Sequence, residues 1–187
     1  MKISSRKFLS TVSALALVCT VFIGSKSAFA ASTTITGGDL GVTTDPTVGD
    51  FSSVTLDGSV QTTTASMGSL TVTDARGTGA GWNVVVSATP FKTSDSSHTL
   101  PTDSLSLASP TEVTPGTGSS DASTVTKKNG TIDNSAGLKL LSAAVDGGMG
   151  TYTVSFPDNA LTLTLNPKDV YAGTYTSTVA VTVTTGP

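Results

Sequence analysis

Two-residue alternation of apolar and polar side chains dominates the second half of the chain. In Tyr175–Val183 the residues Tyr175, Ser177, Val179, Val181 and Val183 fall on one face, and Thr176, Thr178, Ala180 and Thr182 on the other, which is the signature of a half-buried strand. Leu161, Leu163 and Leu165 alternate with Thr162 and Thr164 in the same way. In the segment "DARGTGAGWNVVVSATPF", Asp74 to Phe91, the residues Trp82, Val84, Val86 and Ala88 share a face opposite Asn83, Val85, Ser87 and Thr89. Further strands are predicted around Ser53–Val60, Leu70–Asp74, Leu138–Val145 and Thr151–Phe156, separated by turn sequences such as "LDGS", "VDGGMG" and "PDNA". Seven or more short strands of this kind predict an all-β fold, an antiparallel β-sandwich or barrel-like sandwich. Residues 108–137, rich in Ser, Thr, Gly and Pro with few large apolar side chains, read as a long surface loop or insertion carrying at most one short hairpin. A linker between two domains would instead leave two short halves without disulfides, each marginal on its own.

The N-terminus has a different pattern. Lys2, Arg6 and Lys7 precede an apolar run from about Leu9 to Ile23, followed by Ala28-Phe29-Ala30, the organisation of a cleavable secretory signal peptide. Residues 1–30 are thus expected to be removed, leaving a single domain over 31–187. The apolar run is short for a permanent membrane span, and none of about 20 residues follows it. Val18 before Cys19 does not suit lipoprotein processing, so no lipid anchor is expected, and without a sortase-type tail after Pro187 covalent anchoring is not expected either.

Export changes the charge. The segment 31–187 keeps all thirteen acidic residues but only six of the ten basic ones, a net charge of −7, which argues against nucleic acid or an anionic lipid surface as a partner. It contains no cysteine, so neither disulfides nor thiolate metal sites hold it together. Stability must come from a core, and a chain of this length buries roughly 65–70% of its unfolded surface.

Catalytic chemistry has little to work with. The single histidine, His98, lies in the polar run "KTSDSSHT" without a patterned partner, and the single glutamate, Glu112, falls in the Ser/Thr-rich segment. No pair of acids is spaced to suggest a glycosidase, and no enzyme activity or cofactor is expected. The run Gly77–Gly81 lacks the Lys-Ser/Thr ending of a phosphate loop and leads into a strand, not a helix. Asp95, Asp146 and Asp158 are scattered loop acids without the spacing of a calcium loop.

Two segments together resemble the WxL surface domain of Gram-positive bacteria. Its first signature runs Asp-x-Arg, a glycine run and Trp-x-Leu ahead of a strand; here Asp74, Arg76, Gly77–Gly81, Trp82, Asn83 and Val84 occupy those places. Its second runs Tyr, three residues, an aliphatic, Thr-Trp-x-Leu and a later proline, matched in "YTSTVAVTVTTGP" by Tyr175, Val179, Ala180, Val181, Val183 and Pro187. Spacing is kept, but Val84 stands for leucine, Val181 for the second tryptophan, and Ala180 and Val183 for Thr and Leu. The resemblance implies a secreted domain that attaches non-covalently to the Gram-positive cell wall, to peptidoglycan, alongside other wall-associated proteins. It makes Asp74, Arg76, Trp82, Asn83, Val84, Tyr175, Val181 and Val183 the candidate binding residues.

Two uses of Trp82 follow. Its ring could stack on a sugar face while Arg76, Asn83 or Thr78 bonds hydroxyls or a peptide carboxylate. Alternatively it plugs the core, with Asp74 and Arg76 forming an ion pair at a strand edge. A structural or adhesive subunit, pairing through sheet edges and Thr-rich faces, is the rival function.

Overall fold

The computed structural model describes residues 32–187; the leader expected over residues 1–30 lies outside them. In chain order the strands are β1 (Leu40–Thr44), β2 (Gln61–Ala65), β3 (Leu70–Asp74), β4 (Trp82–Ala88), β5 (Lys92–Thr93), β6 (Leu105–Leu107) and β7 (Glu112–Pro115). After a single 3-10 turn at Ala122–Thr124 come β8 (Val125–Lys127), β9 (Gly130–Thr131), β10 (Leu138–Ala143), β11 (Gly150–Ser155), β12 (Leu161–Leu165), β13 (Tyr175–Thr176) and β14 (Val179–Thr185). They form three four-stranded antiparallel sheets, ordered β1-β3-β11-β7, β14-β4-β10-β8 and β2-β12-β6-β9, and a small β13-β5 pair, none closed into a barrel. The all-β, sandwich-type reading of the sequence holds, and Ile35–Pro187 is one compact unit.

Alternation explains how the sheets meet. Leu70 and Val72 of β3 and Tyr152 and Val154 of β11 point inward from the first sheet, while Trp82, Val84 and Val86 do so from the second. Leu105, Leu107, Leu161 and Leu163 serve the third. All belong to one hydrophobic cluster, and the Trp82 and Tyr152 rings from different sheets meet at 5.9 Å between centroids. The opposite faces are hydroxyl-rich: Thr64, Thr162, Ser106 and Thr131 lie in register across the third sheet.

Three segments differ from the alternation-based expectation. No strand forms over Ser53–Val60; the ladder starts at Gln61. The preceding chain is instead held by side chains, Thr63 donating to the Ser52 carbonyl at 2.8 Å and Gln61 to that of Thr55 at 2.8 Å. Tyr175–Val183 is interrupted, because Ser177 and Thr178 both bond Thr89 where the chain passes from the β13-β5 pair to the second sheet. Residues 108–137, expected as a surface excursion, supply β7, β8 and β9 to three different sheets. Val113 of β7, Val125 of β8 and Ile132, the residue after β9, are buried in the core.

Candidate functional site

The two signature segments lie side by side. β14 pairs antiparallel with β4 over seven residue pairs, from Val179 opposite Ala88 to Thr185 opposite Trp82. Val183 faces Val84 and Val181 faces Val86 on the inward side of the sheet. With valine at position 181, the second strand presents a short branched side chain well suited to a pleated sheet.

Arg76 closes the end of this ribbon. Its guanidinium donates Nε–H to Asp74 Oδ1 at 2.9 Å and one amino group to Asp74 Oδ2 at 2.8 Å, a forked ion pair. The same amino group reaches the Gly81 carbonyl at 2.9 Å, and the other reaches the Thr185 hydroxyl at 2.9 Å. One side chain thereby ties the end of β3, the glycine run and the last residue of β14. Asp74 is buried and its carboxyl is held below the usual range, chiefly by the hydrogen bond from Arg76, whose own pKa is raised in return. Asn83 extends the junction by donating to the Gly186 carbonyl, while its side-chain oxygen is buried without a partner.

The glycine run has a steric cause at its last member. Gly81 has φ +70° and a side chain there would come within 2.5 Å of the Ala143 carbonyl oxygen, so only glycine lets the chain turn tightly into β4 with its carbonyl aimed at Arg76.

Trp82 is fully buried, at 0% exposure. Its indole N–H donates to the Gly148 carbonyl at 2.7 Å, and its ring leans on Tyr152, whose hydroxyl donates to the Ser120 carbonyl at 2.8 Å. No ring face is open to stack on a sugar, and Val84 beside it is equally buried. Of the two uses foreseen for Trp82, the geometry is that of the core plug, with Asp74 and Arg76 as the ion pair. The candidate residues divide accordingly: Trp82, Val84, Val181 and Val183 pack inward, Asp74, Arg76 and Asn83 form the junction, and Tyr175 stands apart at the far end of the ribbon.

Tyr175 lies in a groove that sequence reading did not find. Residues 51–56 and 170–175 face each other across a depression of about 560 Å³, floored by Thr63, Leu163 and Leu165. A second depression of about 440 Å³ adjoins it and shares Phe51, Phe91, Thr174 and Tyr175. None of the residues lining the larger one carries a charge. Tyr171 stands at its edge, 56% exposed, with one ring face stacked on His98 at 3.9 Å and 15° between planes. The Tyr175 hydroxyl accepts from the Tyr171 N–H at 3.2 Å and donates to the Tyr171 carbonyl at 3.1 Å. That reciprocal pair fixes the loop carrying the exposed ring. Leu56, 44% exposed, lines the same depression. Asp95, in the turn before His98, accepts from Thr93 and Ser97, and these bonds lower its pKa to about 2.

A disulfide-free β-sandwich whose terminal strand is locked onto a Trp-bearing strand, with an uncharged aromatic groove at the other end of that ribbon, has the makings of a surface binding module. The chain belongs to the WxL family: the family model described as "WxL domain surface cell wall-binding" matches residues 30–187. The family is one of cell wall-binding domains at the cell surface, not of enzymes. No curated protein and no solved structure matches the chain. Among the described residues no helix is long and apolar enough to cross a membrane.

Proposed function

We propose that this protein is exported and holds non-covalently to the peptidoglycan of a Gram-positive cell wall through its WxL domain, alongside other wall-associated proteins. The observation that carries the reading is the seven-pair union of β4 and β14, which makes the two signature segments parts of a single module closed by Arg76. The match over residues 30–187 gives that module a wall-binding family. In this reading the signature residues Asp74, Arg76, Trp82, Asn83, Val84, Val181 and Val183 build and lock the platform, and Tyr175 connects it to the surface that meets the wall.

The test is sedimentation of the exported protein with washed Gram-positive sacculi stripped of protein and of covalently attached polymers. Saturable co-sedimentation that survives moderate salt supports direct attachment. A protein left in the supernatant, yet assembling with itself or with a partner surface protein, would transfer the function to the adhesive, protein-protein alternative.

A further inference from the structure

We propose that the groove between residues 51–56 and 170–175 is a binding site for an uncharged glycan, acetylated amino sugars in particular, with Tyr171 as the stacking platform. The inference rests on the wall-attachment reading for its biological setting and on the groove itself for its chemistry.

Three features select this ligand class. Tyr171 is the one strongly exposed aromatic ring among the described residues, and it is held at a fixed angle. His98 covers one face at 3.9 Å, and Tyr175 bonds both backbone polar groups of the same residue. A pre-oriented ring with a free face offers a flat apolar surface that matches the C–H face of a pyranose, and holding it in advance removes the entropy cost of ordering it on binding. The groove contains no charged side chain, so an anionic or cationic ligand would be desolvated there without a counter-charge, which is costly. What it offers instead are hydroxyls, those of Ser52, Thr55 and Thr174 among them, beside apolar Val54 and Val170. Hydroxyls suit the sugar ring and the amide of an acetamido group, while the apolar wall accepts its methyl. At about 560 Å³ the depression accommodates a short stretch of a glycan strand lying along the open surface.

Tyr175 gives the site a physical link to the signature ribbon. It lines the groove, supports Tyr171, and stands four residues before Val179, where β14 begins. The strand locked by Arg76 at one end thus runs from the groove at the other.

The test titrates the exported protein with the soluble β-1,4-linked tetramer of N-acetylglucosamine, followed by calorimetry or amide chemical shifts. Wild type should bind saturably, with shifts concentrated at 51–56 and 170–175. Tyr171→Ala should weaken binding roughly tenfold or more, whereas Tyr171→Phe, which keeps the ring face, should stay within about threefold of wild type. The fully deacetylated, cationic tetramer should bind far less. Both variants alter an exposed side chain, and unchanged melting temperatures would confirm their folding. No saturable binding by wild type, equal binding by Tyr171→Ala, or equal loss in both Tyr171 variants would overturn the proposal. The wall assay separates the two readings. Sacculi bound without tetramer binding would leave attachment standing and remove this site. Tetramer bound without sacculi would keep the site and remove wall attachment.

Discussion

Replacing Arg76 by alanine tests whether the ribbon end is closed by charge or by packing. The substitution deletes the forked pair to Asp74 and the bonds to Gly81 and Thr185. Asp74 then retains only the backbone N–H of residue 76, at 3.1 Å, while its side chain is 1% exposed against 16% for that of Arg76. Removing one partner of a buried pair costs about 3–5 kcal/mol. Partial access of water at the Arg76 side lowers this, and the bonds lost to Thr185 and Gly81 add about 0.5–1.5 kcal/mol each at most. The expected loss is about 3 kcal/mol in urea unfolding, or a melting temperature roughly 6–12 °C lower for a domain of this size. Asp74→Asn and the double variant complete the cycle, and the double should be more stable than the summed single effects by at least about 1 kcal/mol. Hydrogen exchange supplies the local readout: amides of residues 183–186 should exchange faster in Arg76→Ala, with those of β11 sped only by the global change. A loss below about 1 kcal/mol, or strict additivity in the cycle, would show that packing of β14 on β4 closes the ribbon without Arg76.

Other substitutions and conditions probe the core and the turns. Trp82→Phe strands the Gly148 carbonyl and leaves a gap beside Tyr152, so unfolding free energy should fall by about 2–3 kcal/mol; since Trp82 is the only tryptophan, acrylamide should quench wild-type emission only after unfolding. Gly148→Ala combines φ +70° with a methyl 2.7 Å from the Trp82 indole nitrogen, whereas Gly118→Ala combines φ +81° with open space. The second should cost about 1–2 kcal/mol, the backbone term alone, and the first distinctly more; equal losses in chemical denaturation would contradict the packing drawn around Trp82. Asp57, Asp74, Asp95, Asp103 and Asp121 all have lowered carboxyl pKa values through hydrogen bonds, from Arg76 in the case of Asp74 and from Ser and Thr groups at Asp57 and Asp95. A depressed folded-state pKa stabilises above the unfolded value and is lost as pH falls through the folded one. The melting temperature should therefore hold from about pH 7 to 5 and drop between about pH 4 and 2, and a profile flat through that lower window would refute the assignment.

The parts of this fold legible in the sequence are those where one strand face is buried and the other wet. β12 reads directly because Leu161, Leu163 and Leu165 all enter the core, and β4 and β14 read for the same reason. The segment 108–137 did not, because its strands are two to four residues long and carry at most one buried apolar side chain each, too few to establish a period. Over Ser53–Val60 the pattern signalled a strand that does not form, because the Thr63 and Gln61 side chains bond the carbonyls of Ser52 and Thr55 and no ladder does. The Asp74–Arg76 pair was accessible from spacing, since i and i+2 at a strand end share a side. The groove was not, because residues 51–56 and 170–175 are distant in sequence and only the pairing of β2 with β12 and of β5 with β13 draws their segments together.

That topology carries the influence of the buried tryptophan to the far end of the ribbon despite its distance from solvent. β4 begins at Trp82, and the chain leaving its far end reaches Phe91, which lines both depressions and meets Phe51 edge-on at 5.5 Å. β14 runs the opposite way, from the Tyr175 side of the groove to the Arg76 junction. Both walls of the groove near Phe91 and Tyr175 are therefore continuations of one two-stranded ribbon, and whatever fixes the register at Trp82 and Thr185 also fixes it at Ala88 and Val179. A slip of one residue would turn Val181 and Val183 outward and move Tyr175 relative to Phe91. Core packing at one end of the ribbon and the shape of the groove at the other are thus set by the same pairing, so a tryptophan with no exposed surface bears on a surface feature at the far end of its strand.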